Sequence, residues 1–473
     1  MTHTMTALAP VGEVERAAFL DLARISASGD AMQLQEQLRR TGGCSSPIHL
    51  RGFRKLVHAP TGAVWSSFST DQMPAGRLRL ACGNRRASRC PSCAHTYAGD
   101  TFHLIRAGLV GDPPKGVPQS VRSHPRVFAT LTAPSFGPVH NQPQSGRCRC
   151  GCTHPPADPA LGTPLDAGRY DYAHAVLWNN HAPDLWRRFS IALTRQVARR
   201  VGLSRTEFGK VARVTFGKVA EYQRRGAVHF HAVIRLDGPE GADAPPPSWA
   251  TVALLDGAIR AAAADAGVPV AASGHLPARV LRWGAQVDVQ PIGGLAFGEI
   301  TEQRVASYVA KYATKAAEAT QSVDHRLGER AEIGRFDLPE HTRRLIETCW
   351  DLDDLYPDRL LAHWSHMLGF RGHFSSKSPT YSTTLGALRQ VRADFRAEQE
   401  HERLRQRLLD AGLPDLDDVD QAHTLVLAHW SFAGAGLSPG ESLIAAGIRD
   451  DIAFQREIKR ELLAEQEETR SWQ

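Results

Sequence analysis

Two runs rich in β-branched and aromatic residues, Arg213–Tyr222 and Val228–Leu236, flank the stretch Gln223-Arg224-Arg225-Gly226-Ala227. Such runs around a turn signal fold as an antiparallel hairpin. Gly226 selects the register. A three-residue loop, Arg224-Arg225-Gly226, places a left-handed residue at its third position, and glycine adopts that conformation without a Cβ penalty. The register then pairs Gln223 with Ala227, Tyr222 with Val228 and Glu221 with His229. A two-residue loop would send Glu221 to the other face. Side chains alternate along a strand, so His229 and His231 share one face while Phe230 and Ala232 point to the other. Two imidazoles on one strand face can chelate a divalent metal, and Glu221 would add a carboxylate. Alternating polar residues also describe an ordinary solvated face, and the pattern alone leaves both readings open.

Elsewhere helices and short strands alternate. Residues 1–40 read as a helical leader around Leu20, Ala23, Leu34 and Leu38, ended by Gly42-Gly43. His95–Leu109 reads as an amphipathic helix, and Val127–Thr132 as a strand. Residues 137–169, rich in Gly, Pro and Cys, form a loop or insertion. Residues 183–201 have helical spacing, with Pro183 placed in the first turn. Residues 249–266 and Glu302–Glu318 read as helices, and Gln286–Ile292 as a half-buried strand. Beyond residue 320 the pattern is mostly helical. One polar stretch, residues 369–384, interleaves Arg371, His373 and Lys377 with Phe370, Phe374 and Tyr381. That composition suits a base-stacking, backbone-tracking surface or an ordinary exposed hairpin.

In Ser307-Tyr308-Val309-Ala310-Lys311-Tyr312-Ala313-Thr314-Lys315, Tyr308 and Tyr312 are four residues apart and share a helix face. Lys311 and Lys315 share the adjoining one. Two phenols and two ammoniums beside a metal suit phosphodiester transesterification, in which a phenolate attacks phosphorus and a covalent phosphotyrosine keeps the bond energy. Two tyrosines packed in a core or an interface would show the same spacing.

Phe128-Ala129-Thr130-Leu131-Thr132, His229-Phe230-His231 and Tyr308-Val309-Ala310-Lys311-Tyr312 together resemble the three ordered motifs of HUH endonucleases. The tyrosine spacing is similar to the two-tyrosine branch, which includes the gene A initiators of small single-stranded DNA phages. The combination with Cys82-Gly-Asn-Arg-Arg, Cys90-Pro-Ser-Cys93-Ala, Leu131 to His140, Glu221 to His231 and Gly369-Phe-Arg-Gly-His-Phe374 resembles RepSA-type replication initiators of actinobacterial plasmids and integrative elements, over roughly residues 44–440. The resemblance implies rolling-circle initiation: binding a double-stranded origin, nicking one strand, holding the 5′ phosphate on tyrosine and leaving a 3′-OH for host polymerase and helicase. It implies His229, His231 and Glu221 as ligands of a catalytic Mg²⁺ or Mn²⁺, with Asp288 a further ligand candidate. Tyr308 and Tyr312 become the nucleophiles, in either order, and Lys311 and Lys315 offset phosphate charge. It also implies an α+β fold: an HUH core with a five-stranded antiparallel sheet flanked by helices, behind an N-terminal zinc-binding module and ahead of a mostly helical C-terminal region. The expected segments are 1–43 (helical leader), 44–119 (zinc module), 120–320 (nicking core with the Cys-rich insertion 137–169) and 321–473 (C-terminal region).

Seven of the eight cysteines lie in the first third of the chain. Cys90-x-x-Cys93 has zinc-knuckle spacing, and Cys82 and Cys44 complete a four-thiolate structural zinc site, with His95 and His103 as competing ligands. Reduced structural thiols are the other reading. Arg77, Arg79, Arg85, Arg86 and Arg89 crowd this group, as a phosphate-contacting surface would. Cys148, Cys150, Cys152 and His154, with His140 nearby, form a second candidate zinc cluster or a solvated, redox-sensitive loop.

The net charge is +6, from 56 basic and 50 acidic residues, which permits a nucleic-acid partner without demanding one. No apolar stretch reaches the ~18 residues of a membrane span. The N-terminus lacks a basic region followed by an apolar run, so no secretory signal is expected and a cytoplasmic location is. A two-tyrosine HUH transposase and a non-enzymatic zinc-dependent DNA-binding regulator are the competing readings.

Overall fold

The computed structural model describes residues 12–471, apart from 61, 63, 144–145, 294–300, 315–319, 321 and 411–423. In chain order come helices α1 (Glu13–Ala27) and α2 (Ala31–Arg40), strands β1 (Ile48–His58), β2 (Val64–Ser69) and β3 (Leu78–Leu80), helix α3 (Pro91–Val110) and strand β4 (Arg126–Leu131). Helices α4 (Tyr172–Arg200) and α5 (Arg205–Val211) lead to the hairpin β5 (Arg213–Tyr222) and β6 (Val228–Asp237). Helix α6 (Val252–Asp265), strands β7 (Gly267–Val270), β8 (Arg279–Arg282) and β9 (Val287–Pro291), and helices α7 (Glu302–Ala313) and α8 (Glu340–Asp351) follow. The chain ends with β10 (Ser375–Lys377), α9 (Leu385–Asp410), β11 (Thr424–Ala435) and α10 (Pro439–Ser471).

These elements make a mixed α/β protein with antiparallel sheets, in two compact units: Met1–Tyr97 with Ala393–Gln473, and Ala98–Arg392. The division cuts across the four segments read from sequence. In the first unit β11 pairs antiparallel with β1 along its whole length, and β2 and β3 pair with β1 as well. The region expected to be mostly helical thus supplies a 12-residue strand to a sheet begun by the N-terminal segment. The leader is two helices, broken at Gly29, whose φ of +74° is left-handed. Ile25, Leu34 and Leu38 pack there with Ile448 of α10.

The second unit holds a five-stranded sheet in the order β10-β5-β6-β4-β9, every pair antiparallel. Four of its strands fall within residues 120–320, and the edge strand β10 lies beyond that window. Turn and register agree with the residue pattern of the hairpin. Gly226 has φ +75°, Gln223 N–H donates to Ala227 O at 2.9 Å, and Glu221 stands opposite His229. The two faces of the sheet differ in kind. Phe230 points into the apolar side, where its ring centroid lies 5.7 Å from that of Trp186 on α4. Fully burying one such ring stabilises by about 2–3 kcal/mol. Phe128, Thr130, Glu221, His229 and His231 share the opposite face, where α7 packs over β5.

Two sequence expectations change here. Helix α4 starts at Tyr172, where the Asp171 side chain accepts from His174 N–H at 2.8 Å, so Pro183 lies inside the helix rather than in its first turn. The helix continues upstream because Val176, Leu177 and Trp178 are fully buried. The aromatics of residues 369–384 are also core, with Phe370, Phe374 and Tyr381 all buried. Tyr381 donates its hydroxyl to Ile105 O at 3.2 Å, and Gly108 makes room for its ring: a Cβ there would lie 2.4 Å from it. The base-stacking reading of that stretch therefore fails for its rings.

Candidate metal centre and tyrosine pair

Glu221 and His229 share a rung of the β5–β6 ladder and His231 lies two rungs on, on the same face, and their donor atoms all lie within 4.8 Å of one another. Glu221 Oε2 is 3.1 Å from His229 Nε2 and 2.9 Å from His231 Nε2, and the two imidazole nitrogens are 3.2 Å apart. Helix α7 brings the tyrosines over this cluster. Tyr308 donates its hydroxyl to Glu221 Oε2 at 3.2 Å and stands 3.1 Å from His231 Nε2. The Tyr312 ring centroid lies 4.6 Å from that of Tyr308, so the i, i+4 spacing does put both phenols on the face that meets the sheet. Lys311 is exposed, with its ammonium 5.5 Å from the Tyr312 ring centroid. Lys315 lies outside the described residues. Asp288 pairs across the sheet with Thr130, and its carboxylate accepts from Gln290 at 2.8 Å instead of joining the three-residue cluster.

The roles of three supporting residues were not read from the sequence. Thr130 Oγ1 is 3.0 Å from His231 Nδ1, which leaves Nε2 facing Glu221. The Phe128 ring stacks on His231 at 5.7 Å and meets Tyr308 edge-on at 5.6 Å. Both residues sit in the Val127–Thr132 run read as a strand, but their partner became known only with the β4–β6 register. The third, Asn179 of α4, is fully buried; it donates to Gly226 O at 2.8 Å and Leu368 O at 2.9 Å, and accepts from Val228 N–H at 3.0 Å. Asn179 thereby clamps the turn that sets the ligand register. Arg126 donates to Glu302 at 2.7 Å, which fixes the start of α7 against β4.

The protonation states follow from these contacts. Burial alone would raise the Glu221 carboxyl, but hydrogen bonds and charge from His229 and His231 outweigh it and hold it at about 2. Burial pulls His231 below its ordinary value, with Glu221 opposing. Burial, then the Glu221 charge and Tyr312, raise the Tyr308 phenol, and burial and Glu221 raise Tyr312. Near neutral pH the protein thus presents two protonated phenols, an ionised carboxylate and a neutral imidazole at His231. Two imidazole nitrogens and one carboxylate oxygen facing a common point match the ligand types that bind divalent first-row ions.

A family model described as "RepSA: Replication initiator protein, pSAM2" matches residues 30–450. The chain belongs to the RepSA family of replication initiators. A curated "Replication initiator protein" of Streptomyces ambofaciens is 58% identical over 449 residues, covering 94% of this chain and 96% of the relative. No solved structure matches the chain.

The first unit of this RepSA-family chain holds a second donor set, Cys44, Cys82, Cys90 and Cys93. Their sulfurs approach to 3.6 Å (Cys82–Cys93), 3.7 Å (Cys90–Cys44) and 3.8 Å (Cys93–Cys44). A tetrahedron with ~2.3 Å zinc–sulfur arms has edges of about 3.8 Å, so the set fits one zinc ion. Backbone N–H groups of Ser45 and Cys82 point at Cys90 and Cys44 sulfur, at 3.4 and 3.3 Å. His95 and His103 are not part of the set. Of the nearby arginines, Arg79 is buried and paired with Glu441 and Gln37, which removes it from any phosphate-contacting surface.

A third set joins His140, Cys148, Cys150 and His154. Cys152, expected among these ligands, is exposed and lies outside the set, and His140 takes its place. Among the described residues no helix is long and apolar enough to cross a membrane.

Proposed function

We propose that this chain initiates rolling-circle replication by nicking one strand of origin DNA through a 5′-phosphotyrosine. The observation that carries the reading is the Tyr308 hydroxyl, hydrogen-bonded at 3.2 Å to the carboxylate of the Glu221–His229–His231 cluster. The phenolic oxygen of Tyr308 attacks the scissile phosphorus, and the tyrosine O–P bond forms. The bond from phosphorus to the 3′ oxygen breaks, and that oxygen takes the proton the phenol gave up. Tyr308, whose oxygen lies 3.1 Å from His231 Nε2, is assigned the first attack. Tyr312, 4.6 Å away ring to ring, is placed to attack a second phosphate and to close or repeat the cycle. Lys311 supplies positive charge beside the strand.

Mg²⁺ or Mn²⁺ held by Glu221, His229 and His231 would polarise the scissile phosphate as a Lewis acid and offset the carboxylate charge that raises both phenols. The Cys44–Cys82–Cys90–Cys93 set is assigned to structural zinc. Origin DNA is the partner class, duplex for recognition and single-stranded at the nick. The 3′-OH left behind is the primer a host polymerase needs, with a host helicase opening the duplex. The 58% identical relative bears the name of a replication initiator, which favours initiation over transposition.

The test is incubation of the purified chain with supercoiled plasmid carrying the element's origin, with Mn²⁺ or with chelator. Open circles with one mapped break, formed only with the divalent ion, are expected. Relaxation that persists in chelator, or breaks at scattered positions, contradicts the reading.

A further inference from the structure

The insertion between β4 and α4 carries a cluster that the nicking chemistry does not use. His154 Nε2 lies 3.3 Å from Cys150 Sγ and 3.3 Å from His140 Nδ1, and the donor atoms of these three residues and Cys148 all fall within 4.8 Å. The local backbone explains which cysteines converge. Cys148 N–H donates to Cys152 O at 3.0 Å and Gly151 N–H to Cys148 O at 2.8 Å, with Gly151 left-handed at φ +88°. That tight turn carries the thiols of Cys148 and Cys150 to the histidines, with Cys150 and Cys152 both exposed and Cys152 outside the donor set.

The surrounding hydrogen bonds are those of a metal site. His154 Nδ1 stands 2.7 Å from Asp158 Oδ2, and Asp158 is itself held by Ala160 N–H at 2.8 Å. A histidine whose Nδ1–H is given to a carboxylate keeps its Nε2 lone pair free, the arrangement that orients metal-binding imidazoles. Asn141 N–H points at Cys148 Sγ from 3.5 Å. His154 and Cys148 are both buried.

We propose that His140, Cys148, Cys150 and His154 bind a structural zinc ion, at a site separate from the four-cysteine set. Two thiolates and two imidazoles are a standard tetrahedral zinc environment. The ion would brace a wall of the neighbouring cleft. His140 lines a cavity of about 740 Å³ together with Ser135, Gln142, Gly162, Arg224 and Gln286. Arg224 Nη2 donates to Pro156 O at 2.8 Å, and a Cβ on Gly162 would lie 2.5 Å from the Arg224 side chain. The insertion is thus packed on the turn of the hairpin that carries Glu221 and His229. Zinc binding stands apart from the nicking reading, and only the bracing role rests on it.

The experiment measures zinc per chain by mass spectrometry on tag-free, full-length protein after exhaustive dialysis. Wild type is expected to hold about two zinc ions, one at each of two tetrahedral sites. His140→Ala and Cys148→Ser should each lose one ion, Cys152→Ser none, and Cys93→Ser the ion of the other site. Cobalt-loaded Cys93→Ser protein should show the ligand-field bands of a two-thiolate, two-imidazole site, a check that does not depend on the insertion variants folding. Asp158→Asn, which removes no ligand, should release its ion to a competing chelator at least tenfold more readily. Full zinc content in Cys148→Ser, loss in Cys152→Ser but not in His140→Ala, or cobalt-silent Cys93→Ser protein would overturn the proposal. Loss of zinc from Cys93→Ser alone would leave the four-cysteine site standing and this one refuted, and a failed nicking assay would leave it untouched.

Discussion

Thr130 Oγ1 of β4 lies 3.0 Å from Nδ1 of His231 on β6, and Glu221 stands on the strand at the other side of β6. The hydroxyl fixes the ring so that Nε2 faces the carboxylate. Thr130→Val keeps the branched shape and removes only this bond. It should weaken Mn²⁺ binding about 10- to 100-fold while leaving the melting temperature nearly unchanged. Calorimetric titration with Mn²⁺ beside a thermal melt checks both halves.

Asn179 and Gly226 together set the hairpin register. Asn179→Ala leaves Gly226 O, Leu368 O and Val228 N–H without their buried partner and should destabilise by about 2–3 kcal/mol. Gly226→Ala adds a Cβ at positive φ, 2.5 Å from Leu345 Cδ1, and should destabilise by a further strain-dependent amount of about 1–2 kcal/mol. Urea midpoints read at constant slope measure both.

Acid should weaken the centre in two steps with the same sign. His231 sits below its ordinary 6.5, so the unfolded chain binds its proton first, and stability falls as pH drops below 6.5. Glu221, held at about 2 against an ordinary 4.5, contributes stability present above 4.5 and lost as pH falls from there towards 2. A neutral His231 persisting below pH 6.5 should extend metal-dependent nicking to more acid conditions than a free imidazole allows. Rates across pH 5–8, with nitrogen-resolved NMR of His231, report it.

On the apolar face of the same sheet, Lys218 is buried, its ammonium 4.3 Å from the Phe230 ring centroid and 5.6 Å from that of Trp186. Burial lowers it from 10.5 to about 8. The unfolded chain therefore binds the extra proton, and stability rises with pH between 8 and 10.5. The charge costs about 3 kcal/mol at neutral pH, of which cation–π contacts return about 1–2. Lys218→Met should then raise stability by about 1–2 kcal/mol at pH 7, with the gain shrinking towards pH 10. A melting series over that range measures it.

The hairpin and the tyrosine pair were legible because their information is local. Gly226 and the alternation of Glu221, His229 and His231 specify turn, register and face within a few residues, and Tyr308/Tyr312 specify a helix face by spacing alone. What failed depended on distant chain. Strand β11 forms only because β1 offers it an edge, and β10 only because β5 does. Phe370, Phe374 and Tyr381 read as exposed until the core that buries them was assembled. Pro183 looked like a helix start because local rules favour proline there, and the buried run Val176–Trp178 overrode them. His140 displaced Cys152 because a turn, not a spacing rule, decides which donors converge.

The central claim is covalent attachment through Tyr308. Origin single strands carrying a 5′-labelled downstream segment and Mn²⁺ should trap one protein–DNA adduct, and proteolysis with mass spectrometry should place the phosphate on the peptide containing Tyr308. Tyr308→Phe should abolish the first-turnover adduct, and Tyr312→Phe should retain it while losing the second transfer. An undiminished adduct in the Tyr308→Phe/Tyr312→Phe double variant, or a phosphate mapped to another residue, would contradict the account.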